Sequence, residues 1–213
     1  MGSLQMKVLV ACEESGTVRD AFREKGHDAI SCDLLPSKKL IDGTKYLGGH
    51  YQGDVREIIN DGWDLMIAFP PCTFLTVTGN KWFYHPEDRD LPLDQKRPHP
   101  KFPNRRQDQE DALKFVELLM NADIERIAIE NPVGVISSRI KKPNQIIHPY
   151  FFGDPYEKRT CLWLKNLPLL EKTNEVQPEE RTYFKSGKSF PTWYLKTSSL
   201  SKEERSIVRS KTF

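Results

Sequence analysis

Short apolar runs recur along an otherwise polar chain at intervals that suit strands alternating with helices. The first, Lys7-Val8-Leu9-Val10-Ala11, is apolar on both faces and predicts a buried strand. It passes through Cys12-Glu13-Glu14-Ser15-Gly16 into a segment where Val18, Ala21 and Phe22 recur at helical spacing. Ser15 or Thr17 is placed to cap that helix, and Gly26 falls where a left-handed C-terminal residue is wanted. Residues 28–33, 64–69 and 126–131 predict three more strands, and 160–164 another. Residues 55–60 suit a short helix. A longer one is expected over 107–121, where Ala112, Phe115, Val116 and Leu119 fall on one face.

Strands apolar on both faces, alternating with helices, imply a mostly parallel sheet with helices on both faces, because parallel pairing needs crossovers that cover it. The expected fold is therefore a Rossmann-like α/β sheet. Residues 6–170 read as one domain, interrupted by a long insertion at 79–106 with five prolines, seven Lys or Arg and the aromatics Trp82, Phe83, Tyr84 and Phe102. Residues 171–213 are polar and irregular and read as a short extension that wraps or frays.

Composition narrows the classes. The chain has 213 residues, and 32 Lys+Arg against 30 Asp+Glu leave a net charge of +2, which argues against non-specific wrapping of nucleic acid but allows a local basic face. At 38% hydrophobic it can build a core with polar loops. No apolar run is long enough for a membrane span and no signal pattern opens the chain, so no membrane partner and a cytoplasmic location are expected. Residues 1–5, ahead of Met6, read as a cloning remnant. Cysteines at 12, 32, 72 and 161 match no zinc or disulfide spacing, and the five histidines match no metal-ligand spacing, so free thiols and no metal are expected.

Ligands of an open parallel sheet bind beyond the carboxyl ends of its strands, so the residues after each strand carry the chemistry. The loop after the first strand has one glycine, Gly16, rather than a three-glycine pyrophosphate fingerprint. Asp33 closes the second strand, where a carboxylate accepts from a ribose diol or, equally, caps a turn. A nucleoside cofactor without a pyrophosphate fits, and S-adenosylmethionine is the obvious one. Phe69-Pro70-Pro71-Cys72 holds a thiol on a stiff turn at the third rim position, as a nucleophile or as an inert buried thiol. Glu130-Asn131-Pro132 closes an apolar strand, where burial would keep the Glu protonated. A thiolate and a proton-bearing Glu together suit cytosine, whose C5 becomes nucleophilic once sulfur adds to C6 and N3 is protonated.

These motifs resemble, in order from about residue 7 to 165, the DNA cytosine-5 methyltransferases, and more closely their compact phage and prophage relatives. The resemblance implies the class I S-adenosylmethionine-dependent methyltransferase fold, with 6–170 as catalytic domain. It places Cys72 as nucleophile, Glu130 and Asn131 as the Glu-Asn motif, and Arg159 as a base-fixing arginine in 157–163. Cofactor contacts would come from Ala11, Cys12, Glu13, Ser15 and Gly16, from Asp33 with Leu34, from Asp54 with Val55, and from Pro70 and Pro71. The family's aromatic–glycine pair is missing from the first loop, Asp33 stands for a Glu, and Glu157 replaces one arginine. The resemblance also implies a separate target-recognition region after the arginine strand; about fifty residues follow Leu164 here, so either the chain has been trimmed or the enzyme is expected to work without that piece. DNA is the implied partner, gripped by Lys81, Trp82, Arg97, Arg105 and Arg106 of the insertion, which is otherwise a solvated, proline-stiffened loop. Lys185, Lys188, Lys196, Lys202, Arg205 and Arg209 either track a phosphate backbone or decorate a charged, frayed terminus. Two alternatives stay open: methylation of a free cytosine nucleotide, and a non-catalytic protein that binds DNA or protein on this fold.

Overall fold

The computed structural model describes residues 5–37, 49–201, 204–205 and 208. Its central strands are β1 (Lys7–Ala11), β2 (Asp28–Asp33), β3 (His50–Gln52), β4 (Leu65–Ala68), β5 (Arg126–Pro132), β6 (Gln145–Ile147) and β7 (Thr160–Lys165), in the order β3-β2-β1-β4-β5-β7-β6. β3, β2, β1, β4 and β5 pair in parallel, with Ala11 level with Cys32 and Ala68, Cys32 with Tyr51, and Ala68 with Ile129. β7 runs the other way: Lys165 and Asn166 donate to the carbonyls of Ala122 and Glu125, so β7 ends where β5 begins. This is the mostly parallel, Rossmann-like sheet that the apolar runs predict.

The central strands β1 and β4 are apolar on both faces because each face meets a helix. Val8 and Val10 join Ala29 and Leu65 under Val18 and Phe22 of α1 (Thr17–Glu24). Leu9 and Ala11 join Met66, Ala68, Ile127 and Ile129 under Leu113, Val116 and Leu119 of α2 (Arg105–Met120). Gly26 is left-handed just past α1 (φ 85), as its position predicts. The cap differs from expectation. Gly16 takes the N-cap position, and the Glu13 carboxylate accepts the amides of Val18 (2.7 Å) and Arg19 (3.3 Å). Ser15 only supports the turn, its hydroxyl accepting from Thr17 N.

One expectation is corrected. Residues 55–60 make a single 3-10 turn, Val55–Glu57, instead of a helix. The insertion is a long loop with short 3-10 turns, held by its own contacts. The buried Asp88 carboxylate takes several hydrogen bonds from Arg97, and Trp82 packs edge-on against His99 (5.1 Å) and Phe102 (5.4 Å). Of the two expectations for the tail, wrapping or fraying, short elements in its described part accord with the first. These are β8 (Arg181–Tyr183), β9 (Ser189–Pro191) and α4 (Thr192–Lys196), with Trp193 buried, and the segment before them is largely irregular.

The chain divides into two compact units. One comprises the described residues up to Gln145 together with Cys161–Leu169, and the other Ile146–Thr160 with the described residues from Leu170 onward. The extension thus begins near its expected boundary but groups with a segment that the sequence assigns to the first domain. α3 (Ile136–Arg139) lies in the first unit. No helix among the described residues is long and apolar enough to cross a membrane.

Candidate active site

The parallel register brings the ends of β2, β1, β4 and β5 to one rim. One residue beyond the aligned row lie Asp33, Cys12, Phe69 and Glu130, and the ladder continues there through Glu13 N to Cys32 O (3.0 Å), Phe69 N to Ala11 O (3.0 Å) and Gly53 N to Asp33 O (2.9 Å). Glu130 therefore stands beside Phe69, three residues before Cys72. Both Cys72 and Glu130 are half-buried.

The Cys72 loop is pinned on both sides to the segment that follows Glu130. Asn131, buried at the end of β5, donates through Nδ2 to the Pro70 carbonyl at 2.8 Å. Past the cysteine, Val135 N donates to the Leu75 carbonyl at 2.8 Å, and Thr76 bridges Gly134. Only glycine fits at 134, since a Cβ there would come within 2.0 Å of the Leu75 oxygen. α2 supplies two more ties: Arg105 Nη2 to Thr73 O (3.1 Å) and Gln109 Nε2 to Phe74 O (2.7 Å). The carbonyls at 70, 73, 74 and 75 are thus all taken, which leaves the loop few other conformations.

Arg105 is read from the sequence as a phosphate contact, and the structure corrects this. It is buried between the rings of Phe74 (5.2 Å) and Phe83 (5.3 Å), and it fills the space a Cβ at Gly79 would need. Burial pushes its pKa down, and Asp108 opposes the shift. Arg97 is half exposed but pairs with Asp88 and Glu87. Lys81 lies over Trp82, and Arg106, exposed, donates to the Tyr84 hydroxyl at 2.6 Å. Arg159 is exposed and belongs to the second unit, just before β7.

On the other side of the rim, Cys12 sits in the left-handed region (φ 60), and its thiol is pushed up to about 12 by burial, then by Asp33, Cys32 and Asp54. The two carboxylates and Cys12 therefore share one acidic corner. Asp33 keeps one oxygen on Leu35 N, and Asp54 caps its turn through Arg56 N and pairs with the Arg56 guanidinium. Leu34 is 71% exposed beside Asp33. Ala11, Val55 and Pro70 are buried, and Pro71 is exposed.

Glu13, Ser15 and Gly16 serve α1 instead of facing the corner. A Cβ on Gly16 would lie 2.4 Å from Arg19 Nη2, so the glycine makes room for that guanidinium. Three residues that the sequence reading passed over complete the corner. Buried Arg19 donates to Ser31 Oγ (3.2 Å), Ser31 bonds His50 Nδ1 (2.8 Å), and His50 Nε2 donates to the Leu35 carbonyl (3.0 Å). This chain ties α1, through β2 and β3, to the loop after β2. Its signal in the sequence was faint: a Ser at a buried strand position and a His in a run too short to show a period.

The fold and rim define a Rossmann-like α/β protein with a thiol and a carboxylate on adjacent strand ends. No family model matches the sequence, and no curated protein matches it. Among solved structures the chain is similar to a prophage-encoded E. coli protein described as a DNA modification methyltransferase. Identity is 16% and the TM-score 0.38, over 75% of this chain and 46% of that one, so this chain spans less than half the length of that neighbour. Among the described residues no group of three His, Cys, Asp or Glu could hold a metal ion.

Proposed function

We propose that the chain is an S-adenosylmethionine-dependent methyltransferase acting on C5 of cytosine in DNA. The observation that carries this reading is the double pinning of the Cys72 loop, at Pro70 and at Leu75, to the segment that starts with Glu130 and Asn131. A nucleophile needs a fixed approach to its acid, and the ties that hold residues 70–76 to the Glu130 segment support that reading.

The acidic corner fits the cofactor in part. Asp33 offers an acceptor for a ribose diol, Leu34 offers exposed apolar surface for a purine, and Asp33 and Asp54 favour a cationic sulfonium. Glu13, Ser15 and Gly16 do not fit as ligands because α1 already uses them. When bound, S-adenosylmethionine supplies an electrophilic methyl group. The chain's own residues do the rest. Cys72 Sγ adds as thiolate to C6 while Glu130 protonates N3, which makes C5 an enamine carbon. After C5 is methylated, loss of the C5 proton to a base expels the thiolate and restores the double bond, and the N3 proton returns to Glu130. Asn131 positions the loop.

The test is intact-mass spectrometry after incubation with cofactor and duplex DNA carrying 5-fluorocytosine, whose C5 fluorine blocks release. A covalent protein–DNA species is expected, lost in Cys72→Ala. Absence of the species, or its survival in that variant, overturns the reading. Methyl incorporation into dCMP but not into duplex would move the substrate to the free nucleotide.

A further inference from the structure

The hairpin of the second unit carries an exposed aromatic and basic surface that the methyl-transfer reading does not use. β8 and β9 pair antiparallel, Thr182 opposite Phe190 and Tyr183 opposite Ser189. The turn closes through Phe184 N to Lys188 O and Gly187 N to Phe184 O, both 2.9 Å. Its root is fixed within the unit. Arg181 pairs with Glu157, Thr182 and Thr192 share a hydroxyl bond, and the Trp193 indole donates to the Glu157 carbonyl.

Its outer part is open. Tyr183 is 75% exposed, Phe184 46% and Phe190 39%. Phe184 meets Phe190 edge-on at 6.1 Å, and Phe190 lies nearly parallel to Tyr194, 16° off at 6.2 Å. Between the rings the tip is Lys185-Ser186-Gly187-Lys188, with both lysines exposed. Residues 181–202 contain no acidic residue, while Arg181, Lys185, Lys188, Lys196 and Lys202 are basic. Clustered apolar exposure of this kind marks a contact surface, and the two exposed lysines at its tip select an anionic partner.

We propose that this hairpin binds an unpaired nucleic-acid strand, with Lys185 and Lys188 on phosphates and Tyr183 and Phe184 as stacking platforms for bases. Rings on the strand faces, with cations between them at the tip, match a polymer whose phosphates and bases alternate within a few ångströms. An anionic membrane fits less well. Inserting the rings into a bilayer would drive the Lys-Ser-Gly-Lys tip in first, and lysine is strongly disfavoured there. The binding does not depend on methyl transfer.

Fluorescence anisotropy of the full chain with a short labelled single strand tests this, with a duplex of the same sequence and phosphatidylserine vesicles in parallel. Tyr183→Ala is expected to weaken single-strand binding about ten-fold, the scale of one base–aromatic stack. Lys185→Gln with Lys188→Gln is expected to lower the log–log salt slope by about 1.4, at about 0.7 per neutralised phosphate. Both variants change exposed side chains, and an unchanged melting temperature confirms folding. No binding, variants that bind as the parent does, or a hairpin-dependent preference for vesicles overturns the proposal. Hairpin-dependent binding in a chain that forms no 5-fluorocytosine adduct would overturn the methyl-transfer reading alone.

Discussion

Cys12 and Cys32 illustrate how position on the rim decides what a thiol can do. Both are pushed up to about 12, by burial first and then by neighbouring carboxylates, so both stay protonated at neutral pH. The thiolate is the reactive form. Brief alkylation of the native protein at mildly alkaline pH should therefore leave Cys12 and Cys32 largely unlabelled, whereas the denatured chain labels at both, as read by peptide mapping. The same shifts set a stability trend. Above the ordinary thiol value of 9.0 the unfolded chain loses protons that the folded chain keeps, so stability is full below about pH 9 and falls as pH rises towards 12. Urea midpoints across that range should fall, and fall less steeply in Cys12→Ser. Asn131 acts through geometry instead. Asn131→Ala leaves the Pro70 carbonyl without its donor, which should cost about 1–3 kcal/mol in urea denaturation. It should also slow adduct formation by Cys72, because small misplacements of a nucleophile are expensive.

At the scale of elements, α2 is more than a cover for the sheet, because its first turn reaches the nucleophile loop. Arg105→Gln removes the donor to Thr73 O and the cation between Phe74 and Phe83, so lower thermal stability and slower adduct formation are expected. The salt slope of DNA binding should stay unchanged, because a buried guanidinium releases no counterion. Arg106→Gln should do the reverse, leaving stability intact and lowering the slope by about 0.9 if Arg106 meets a phosphate of duplex DNA. The contrast shows what a linear sequence displays. β1, β2, β4, β5 and α2 were legible because burial on two faces, or on one helical stripe, marks four or more consecutive residues. β3, β6, β8 and β9, at three residues each, are too short to write one. The fate of Arg105 was illegible because its partners are a carbonyl and two rings, 22 to 32 positions away in the chain. Cys72 and Glu130 were readable as residue types at strand ends. The pinning of one segment to the other, through Asn131, Gly134 and Val135, rests on contacts about 60 residues apart, as with the 61-residue separation of Asn131 and Pro70.

At the scale of the whole molecule, the division into units changes what a truncation would do. A boundary at 170/171, the one composition suggests, leaves residues 146–160 in the shortened chain but removes what they pack on. Glu157 would lose its ion pair with Arg181 and its carbonyl's bond to the Trp193 indole, and Tyr150 O would lose the amide of Val176 at 2.9 Å. Tyr156 would lose its edge-on contact with Trp193 at 6.0 Å, and the Phe151 ring the cation of Lys172 at 4.2 Å. A frayed terminus would be removable with little effect. A folded partner would not be, because the cut exposes apolar rings and leaves a half-buried Glu157 carboxylate unpaired. Deleting residues 171–213 should therefore yield a chain that melts well below the parent in differential scanning fluorimetry and aggregates on expression. Separating the two units by cutting also at 145/146 and 160/161 would require joining Gln145 to Cys161 by a linker. That redesigned first unit should recover solubility if residues 146–160 are the sticky remainder. A simple truncation at 170 that melts like the full chain would show that residues 146–160 do not depend on the tail.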